Sequence, residues 1–170
     1  MDSVFNAGNS SFGASFFEGE LSIVFSSARP GNYIDEEDAK DGKESEYITD
    51  LFVSTNLGDG WEAPFRMEGP INSGQHDGAG QLSTDRTTFY FTRWDEDNKN
   101  ECHIYVTKKI NARWFEPQKL DLKVNVDGYR SLGPALNLDE TRLYFASDRP
   151  GGYDGLDIWY YPMVEDGSLG

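Results

Sequence analysis

The chain copies itself, and that constrains the fold before any single residue does. Thr141-Arg142-Leu143-Tyr144-Phe145 lies 54 positions after Thr87-Thr88-Phe89-Tyr90-Phe91. At the same offset Leu82, Asp85 and Ile104 fall on Leu136, Asp139 and Ile158. Trp61-Glu62-Ala63-Pro64 returns as Trp114-Phe115-Glu116-Pro117, and Asn72 as Asn125, both after 53 positions. A further copy precedes these two. Gly13, Phe16 and Phe25 map onto Gly133, Leu136 and Phe145 at an offset of 120. Ser27-Ala28-Arg29-Pro30-Gly31 maps onto Ser147-Asp148-Arg149-Pro150-Gly151 at that offset too. Asp50-Leu51-Phe52 then meets Asp157-Ile158-Trp159 at 107, so the first copy carries 13 extra residues.

Each unit reads as four short strands. In the third, Gly133 to Leu136 is a brief strand and Asn137 to Glu140 a turn. Arg142 to Ser147 alternates polar and apolar residues with Leu143 and Phe145 on one face, and Asp157 to Tyr161 is an aromatic strand. The second unit supplies the fourth element, Trp114 to Leu120. Helical periodicity is absent, and glycine and proline recur too often for long helices. Four strands in a repeat of roughly 50 residues is the pattern of a β-propeller blade. One blade cannot bury both of its faces, so neighbours arranged around an axis must cover them. The expected fold is therefore all-β: a β-propeller fragment of about three four-stranded antiparallel blades from a six-bladed ring. Blade 1 spans about 11–69, blade 2 about 78–122 and an incomplete blade 3 about 131–170. Both ends read as cuts within a longer array, whose remaining blades come from the same chain or another chain. A short chain that completes its ring by dimerising is the alternative.

Composition narrows the partners. With 15 Lys and Arg against 30 Asp and Glu, the net charge is −15, which repels phosphate backbones and anionic lipid surfaces. Nucleic acid is thereby excluded as a natural partner. Only 37% of residues are hydrophobic, but 11 Phe, 9 Tyr and 4 Trp are enough to build a core. The single cysteine, Cys102, cannot form an internal disulfide. No apolar run approaches the ~20 residues of a membrane helix, so the chain is expected not to be transmembrane. Met1-Asp2-Ser3 opens without the basic and apolar regions of a signal peptide. That start fits either a cytoplasmic protein or the mature part of an exported one.

The run from Leu143 through Ser147-Asp148-Arg149-Pro150-Gly151-Gly152-Tyr153-Asp154-Gly155 to Trp159 resembles the WD40-like PD40 repeat. That repeat builds the propeller of TolB-type periplasmic proteins. It also occurs in OmpA-type envelope proteins of Bacteroidota, including the PorE-like proteins associated with type IX secretion. Trp-x-x-Pro and Val124-Asn125 match its last strand and linker. The first unit departs by its acidic insertion, and the second by Trp94-Asp95-Glu96-Asp97-Asn98 in place of Asp-Arg-Pro-Gly-Gly. The resemblance implies a non-catalytic platform for protein–protein contacts on the periplasmic side of the envelope, linked to a peptidoglycan-binding domain elsewhere in a longer chain. A substrate-gating propeller of a serine peptidase and a carbohydrate-binding propeller are the alternatives.

Particular residues carry further expectations. Asp35 to Glu46 holds seven acids against two lysines. Such density suits Ca²⁺, which wants six to eight oxygens, but the spacing lacks the EF-hand pattern. A solvated loop is the preferred reading, with a basic partner surface as a third. No other cofactor is expected. Arg29, Asp50, Trp61, Trp114, Asp148, Arg149 and Asp157 are expected to be structural repeat positions, with Asp148 and Arg149 pairing inside their loop. Trp61 closes a turn that resembles the Asp-box of sialidase propellers, with Asn56 where Asp is usual. Tyr33, His76, Trp94, Tyr129, Arg130 and Tyr153 fall in loops that gather at one end of a propeller, where aromatics and arginine serve as binding anchors. His103 aligns with Asp157 and reads as structural. Cys102 reads as an incidental thiol, and no Gly-x-Ser-x-Gly elbow or metal-spaced histidine pair occurs.

Overall fold

A computed structural model describes residues 4–8, 10–19, 21–29, 48–95, 98 and 100–163. The described residues form strands, turns and loops, with no helix. The first sheet is the meander β1 (Ser10–Phe16), β2 (Ser22–Ala28), β3 (Thr49–Thr55) and β4 (Phe65–Arg66). The second contains β5 (Asp77–Leu82), β6 (Thr88–Trp94) and β7 (Cys102–Ile110). Its β7 pairs in turn with β8 (Arg113–Trp114) and β9 (Gln118–Lys119). The third is β10 (Ser131–Leu136), β11 (Arg142–Ser147) and β12 (Asp157–Pro162). Every pairing among the described residues is antiparallel.

The sequence repeat is thus a repeat of antiparallel sheets. Its fourth element is divided where the sequence suggests one strand. Trp114 pairs with Lys109 near the end of β7, and Gln118–Lys119 pair again further back along that strand. The first unit does the same, through the Asn56–Trp61 bridge and then β4. The residues after each tryptophan, 62–64 and 115–117, lie between the two contacts and outside the strands. In the third unit three strands fall within the described residues.

Alternation sorts the side chains into two faces, as the pleat requires. Phe89 and Phe91 of β6 point toward the first sheet and join Phe17, Val24, Leu51, Val53, Met67 and Ile71 in one buried cluster. Tyr90, between them, points the other way. With Ile104 it packs on Val124, Leu143 and Phe145 of the third unit. The middle sheet is therefore covered on both sides. In each sheet the first strand carries a bulge, where the register shifts between Phe12 and Ser15, Gly78 and Gln81, and Leu132 and Ala135. Gly13, Ala79 and Gly133 occupy these bulges with φ of 65°, 42° and 65°. The left-handed conformation suits the two glycines.

Polar groups lock each sheet to the next. The Ser26 hydroxyl accepts the Ala79 N–H at 2.7 Å, and Thr92, its equivalent, accepts the Gly133 N–H at 2.9 Å. Ser15 donates to the Gly80 carbonyl, while Gln81 at the same repeat position accepts from Leu136 N–H. The linkers contribute a second lock. Asn72 Oδ1 accepts Leu51 N–H at 2.8 Å, and Asn72 Nδ2 donates to the Leu51 and Met67 carbonyls. Asn125 repeats this with Ile104 N–H, the Ile104 carbonyl and the Leu120 carbonyl, each at 2.9 Å. The amide side chain thereby replaces a ladder partner on the third strand of the sheet just left.

Asn125→Ala leaves the buried Ile104 amide and the half-buried Leu120 carbonyl without the partner Asn125 supplies, while the Ile104 carbonyl keeps only the Leu120 N–H. The expected loss is about 3 kcal/mol from such orphaned groups, read as a lower urea midpoint at unchanged slope. Asn125→Asp keeps the acceptor but not the donor and should recover only part of it.

Candidate functional site

An arginine stands in the same place in all three sheets. Arg29 Nη2 donates to the Phe5 carbonyl at 2.8 Å and its Nε to Ser27 Oγ at 2.9 Å. Its guanidinium carbon lies 5.2 Å from the ring centroids of both Phe25 and Phe52. Arg149 repeats this: Nη2 donates to the Val124 carbonyl, Nε to Ser147 Oγ, and the guanidinium covers Phe145 and Trp159. The second unit has no arginine at this sequence position. Arg93, two residues earlier, supplies it. Its Nη2 reaches the Ile71 carbonyl at 2.8 Å, and its guanidinium covers Phe91 and Tyr105. Asp77 replaces the serine of the other units and accepts Arg93 Nε at 2.6 Å. Sequence comparison alone misses this exchange because the alignment places Arg93 opposite Ser147. The spare signal was the Asp77 and Arg93 pair, facing each other in register across β5 and β6.

The expected pairing of Asp148 with Arg149 is not what forms. Asp148 accepts both Arg130 N–H at 2.7 Å and Arg130 Nε at 2.9 Å, because Arg149 is turned back onto the aromatic rings. Arg130 and its hydrogen bonds hold the Asp148 carboxyl below the usual carboxylate range, against the opposing pull of burial. Asp157 begins β12 and accepts Tyr153 N–H at 2.7 Å. Its Oδ2 would lie 1.9 Å from a Cβ at residue 152, so any side chain there displaces the Asp157 carboxylate. Asp50 is buried and pairs with Arg66 at 2.6 Å. Trp61 packs edge-on against Phe5 at 5.0 Å, and Trp114 packs on Phe89.

These contacts present the candidate binding residues at one end of the strands. The Trp94 N–H donates to the His76 carbonyl at 2.9 Å, which sets both at the mouth of the second sheet. His76 Nδ1 takes Thr49 N–H at 3.2 Å, which ties it to the first sheet. Cys102 lies opposite Trp94 in register and feels Ser131, Arg130 and Asp148 of the third. Trp94, Cys102 and Arg130 therefore mark one seam. Trp94, Tyr129 and Arg130 are half-buried, and Tyr153 is 98% exposed. Tyr33 and the acidic segment 35–46, with its Ca²⁺ expectation, lie outside the described residues.

Burial dominates the chemistry of this seam. It pushes the Cys102 thiol up to about 11, well away from a nucleophilic thiolate. His103 is also buried, with Nδ1 lacking a hydrogen-bond partner among the described residues. Desolvation, then the Lys119 charge, lowers its pKa, while Glu101, Asp95 and Asp127 act in the opposite sense. No described cluster of three His, Cys, Asp or Glu is placed to hold a metal ion. No described helix is long and apolar enough to cross a membrane. A cleft of about 360 Å³ that sequence reading did not anticipate opens at the far end of the strands. Phe17, Met67 and Trp114 line it, and the Lys109–Glu18 ion pair borders it. Comparison with family models and with curated proteins returned no match to this chain.

Arg93→Ala strands the Asp77 carboxylate in the interior and should cost about 3–5 kcal/mol in urea unfolding. Removing the charge as well, in Asp77→Asn/Arg93→Ala, should restore part of that loss. His103 binds its proton more readily unfolded than folded. Its contribution to stability is intact above the unfolded pKa near 6.5 and falls as the pH drops toward the lower folded value. Melting curves across pH 7.5 to 5, in roughly half-unit steps, should show a slope that His103→Gln reduces.

Proposed function

We propose that the three sheets are consecutive blades of a PD40-type β-propeller. In this reading the chain is a non-catalytic platform for protein–protein contacts in a bacterial cell envelope. The propeller reading is supported by the recurrence of one relation. Each arginine holds the linker carbonyl ahead of its own sheet, at Phe5, Ile71 and Val124, and asparagine ties the linker to the sheet behind. Sheets joined by one repeated operation progress around an axis.

The platform reading rests on a single observation. Trp94, Tyr129 and Arg130 are half-buried at the strand ends, and Tyr153 stands nearly free in solvent. Aromatic and arginine side chains held by a stiff scaffold bind at little entropic cost. The surrounding carboxylates Asp95, Glu101, Asp127 and Asp148 suit a partner with a basic face. The periplasmic face of the outer membrane is the place the PD40 resemblance implies.

The test is capture of partners from a solubilised envelope fraction by immobilised wild-type chain. A Trp94→Ala/Tyr129→Ala/Tyr153→Ala variant with a wild-type melting curve should lose the specifically captured protein at least tenfold. Equal recovery by wild type and variant defeats the platform reading. Binding on a glycan array instead would turn the same surface into a carbohydrate site.

A further inference from the structure

The repeat also says which surfaces of this molecule are unfinished. Residues at the same position in successive units should be at least half-covered within the stack, as Val53 and Val106, and Leu82 and Leu136, are. Leu51 and Ile104 are both 0% exposed, yet Ile158, their counterpart in the third sheet, is 75% exposed. Tyr160, in the position of buried Val53, is 55% exposed. At the other end of the stack Leu82 is 8% exposed, and its counterpart Phe16 is 69% exposed. The outer face of the third sheet is thus the face that receives a following sheet. The outer face of the first is the one that lies on a preceding sheet.

The linker makes the match specific. Asn72 and Asn125 bond the N–H and C=O of Leu51 and Ile104. The corresponding strand edge in the third sheet is at Ile158, since β12 pairs with β11 alone among the described residues. The corresponding asparagine of the first unit is Asn6, in Phe5-Asn6, which parallels Ile71-Asn72 and Val124-Asn125. Asn6 is exposed, and no side-chain hydrogen bond joins it to another described residue. Among the described residues, one end of the molecule thus carries an amide clamp that holds nothing, and the other carries the strand edge that such a clamp fits.

We propose that this chain associates head to tail with a second copy of itself. Asn6 of one copy bonds the backbone of Ile158 in the next, and the apolar surface around Phe16 covers Ile158 and Tyr160. A heterologous contact of this kind forms a closed ring when its rotation closes, here with two identical seams. The seam lacks one lock found inside the chain. Ala146 stands where Ser26 and Thr92 accept a bulge N–H, and Ala135 stands where Ser15 and Gln81 make their bonds. It therefore closes more weakly than the two internal seams. This inference rests on reading the sheets as successive blades, and not on the platform role.

The experiment is light scattering and sedimentation equilibrium of the 170-residue chain over a wide concentration range. The expected result is a reversible dimer. Asn6→Ala should weaken it about tenfold and Ile158→Lys abolish it, each with a wild-type melting curve extrapolated to low concentration. Ala146→Ser restores the missing acceptor for the Gly13 N–H of the neighbouring copy and should tighten the dimer about fivefold. A single-copy mass at every concentration overturns the proposal and leaves both faces to further units of the same repeat. A dimer indifferent to Asn6→Ala and Ile158→Lys overturns it too, because association then uses another surface. Neither result alters the partner-capture measurement, so the two readings fail separately.

Discussion

The structure depends on how its linkers are held. A chain that leaves one sheet and starts the next crosses a region with no ladder to satisfy its backbone, and buried backbone groups left unpaired are costly. Two side chains resolve this. An asparagine in the linker bonds back to the third strand of the sheet behind. The carbonyl of the residue before it is taken by an arginine of the sheet ahead. The linker is thus gripped from both directions, and the spacing between neighbouring sheets follows from the reach of these two side chains. The aromatic pair beneath each guanidinium gives that arginine a fixed bed, since planar cations stack well on ring faces.

The arginine sites also show that the fold conserves an interaction rather than a residue. In the first and third units a serine accepts from the arginine two positions further on. In the second, the arginine moves back two positions and an aspartate enters on the neighbouring strand to meet it. The guanidinium ends over equivalent rings and against the equivalent carbonyl. An arginine held by neutral acceptors has become an ion pair in the interior. Such a pair loses more if one partner is removed than it contributes over a well-packed neutral alternative.

Much of the strand pattern was legible because the repeat let one unit correct another. Arg142–Ser147 is a strand as its alternation implied, and β12 begins at Asp157 as expected. The divided fourth element was not legible, because a two-residue strand has too little alternation to register. The sequence marks Arg130 as a loop residue able to anchor a partner. Its hold on Asp148 is not legible there, because it depends on Arg149 facing the rings and hence on three-dimensional packing. The bulges are hidden in the sequence for a related reason. Gly13 and Gly133 fit the left-handed backbone there, but Ala79 does so without being glycine, and its sequence gives no warning.

The middle sheet has a consequence for how the molecule comes apart. Phe89, Tyr90 and Phe91 are three consecutive residues of one strand, shielded alternately by the sheet on either side. Stability in a stacked array is a sum over neighbours, so a sheet with two neighbours opens last. Amide protons along β6 and β7 should be the slowest of the described residues to exchange with solvent, with those of the flanking sheets released earlier. Local opening would then proceed inward from both sides toward a single persistent aromatic strand.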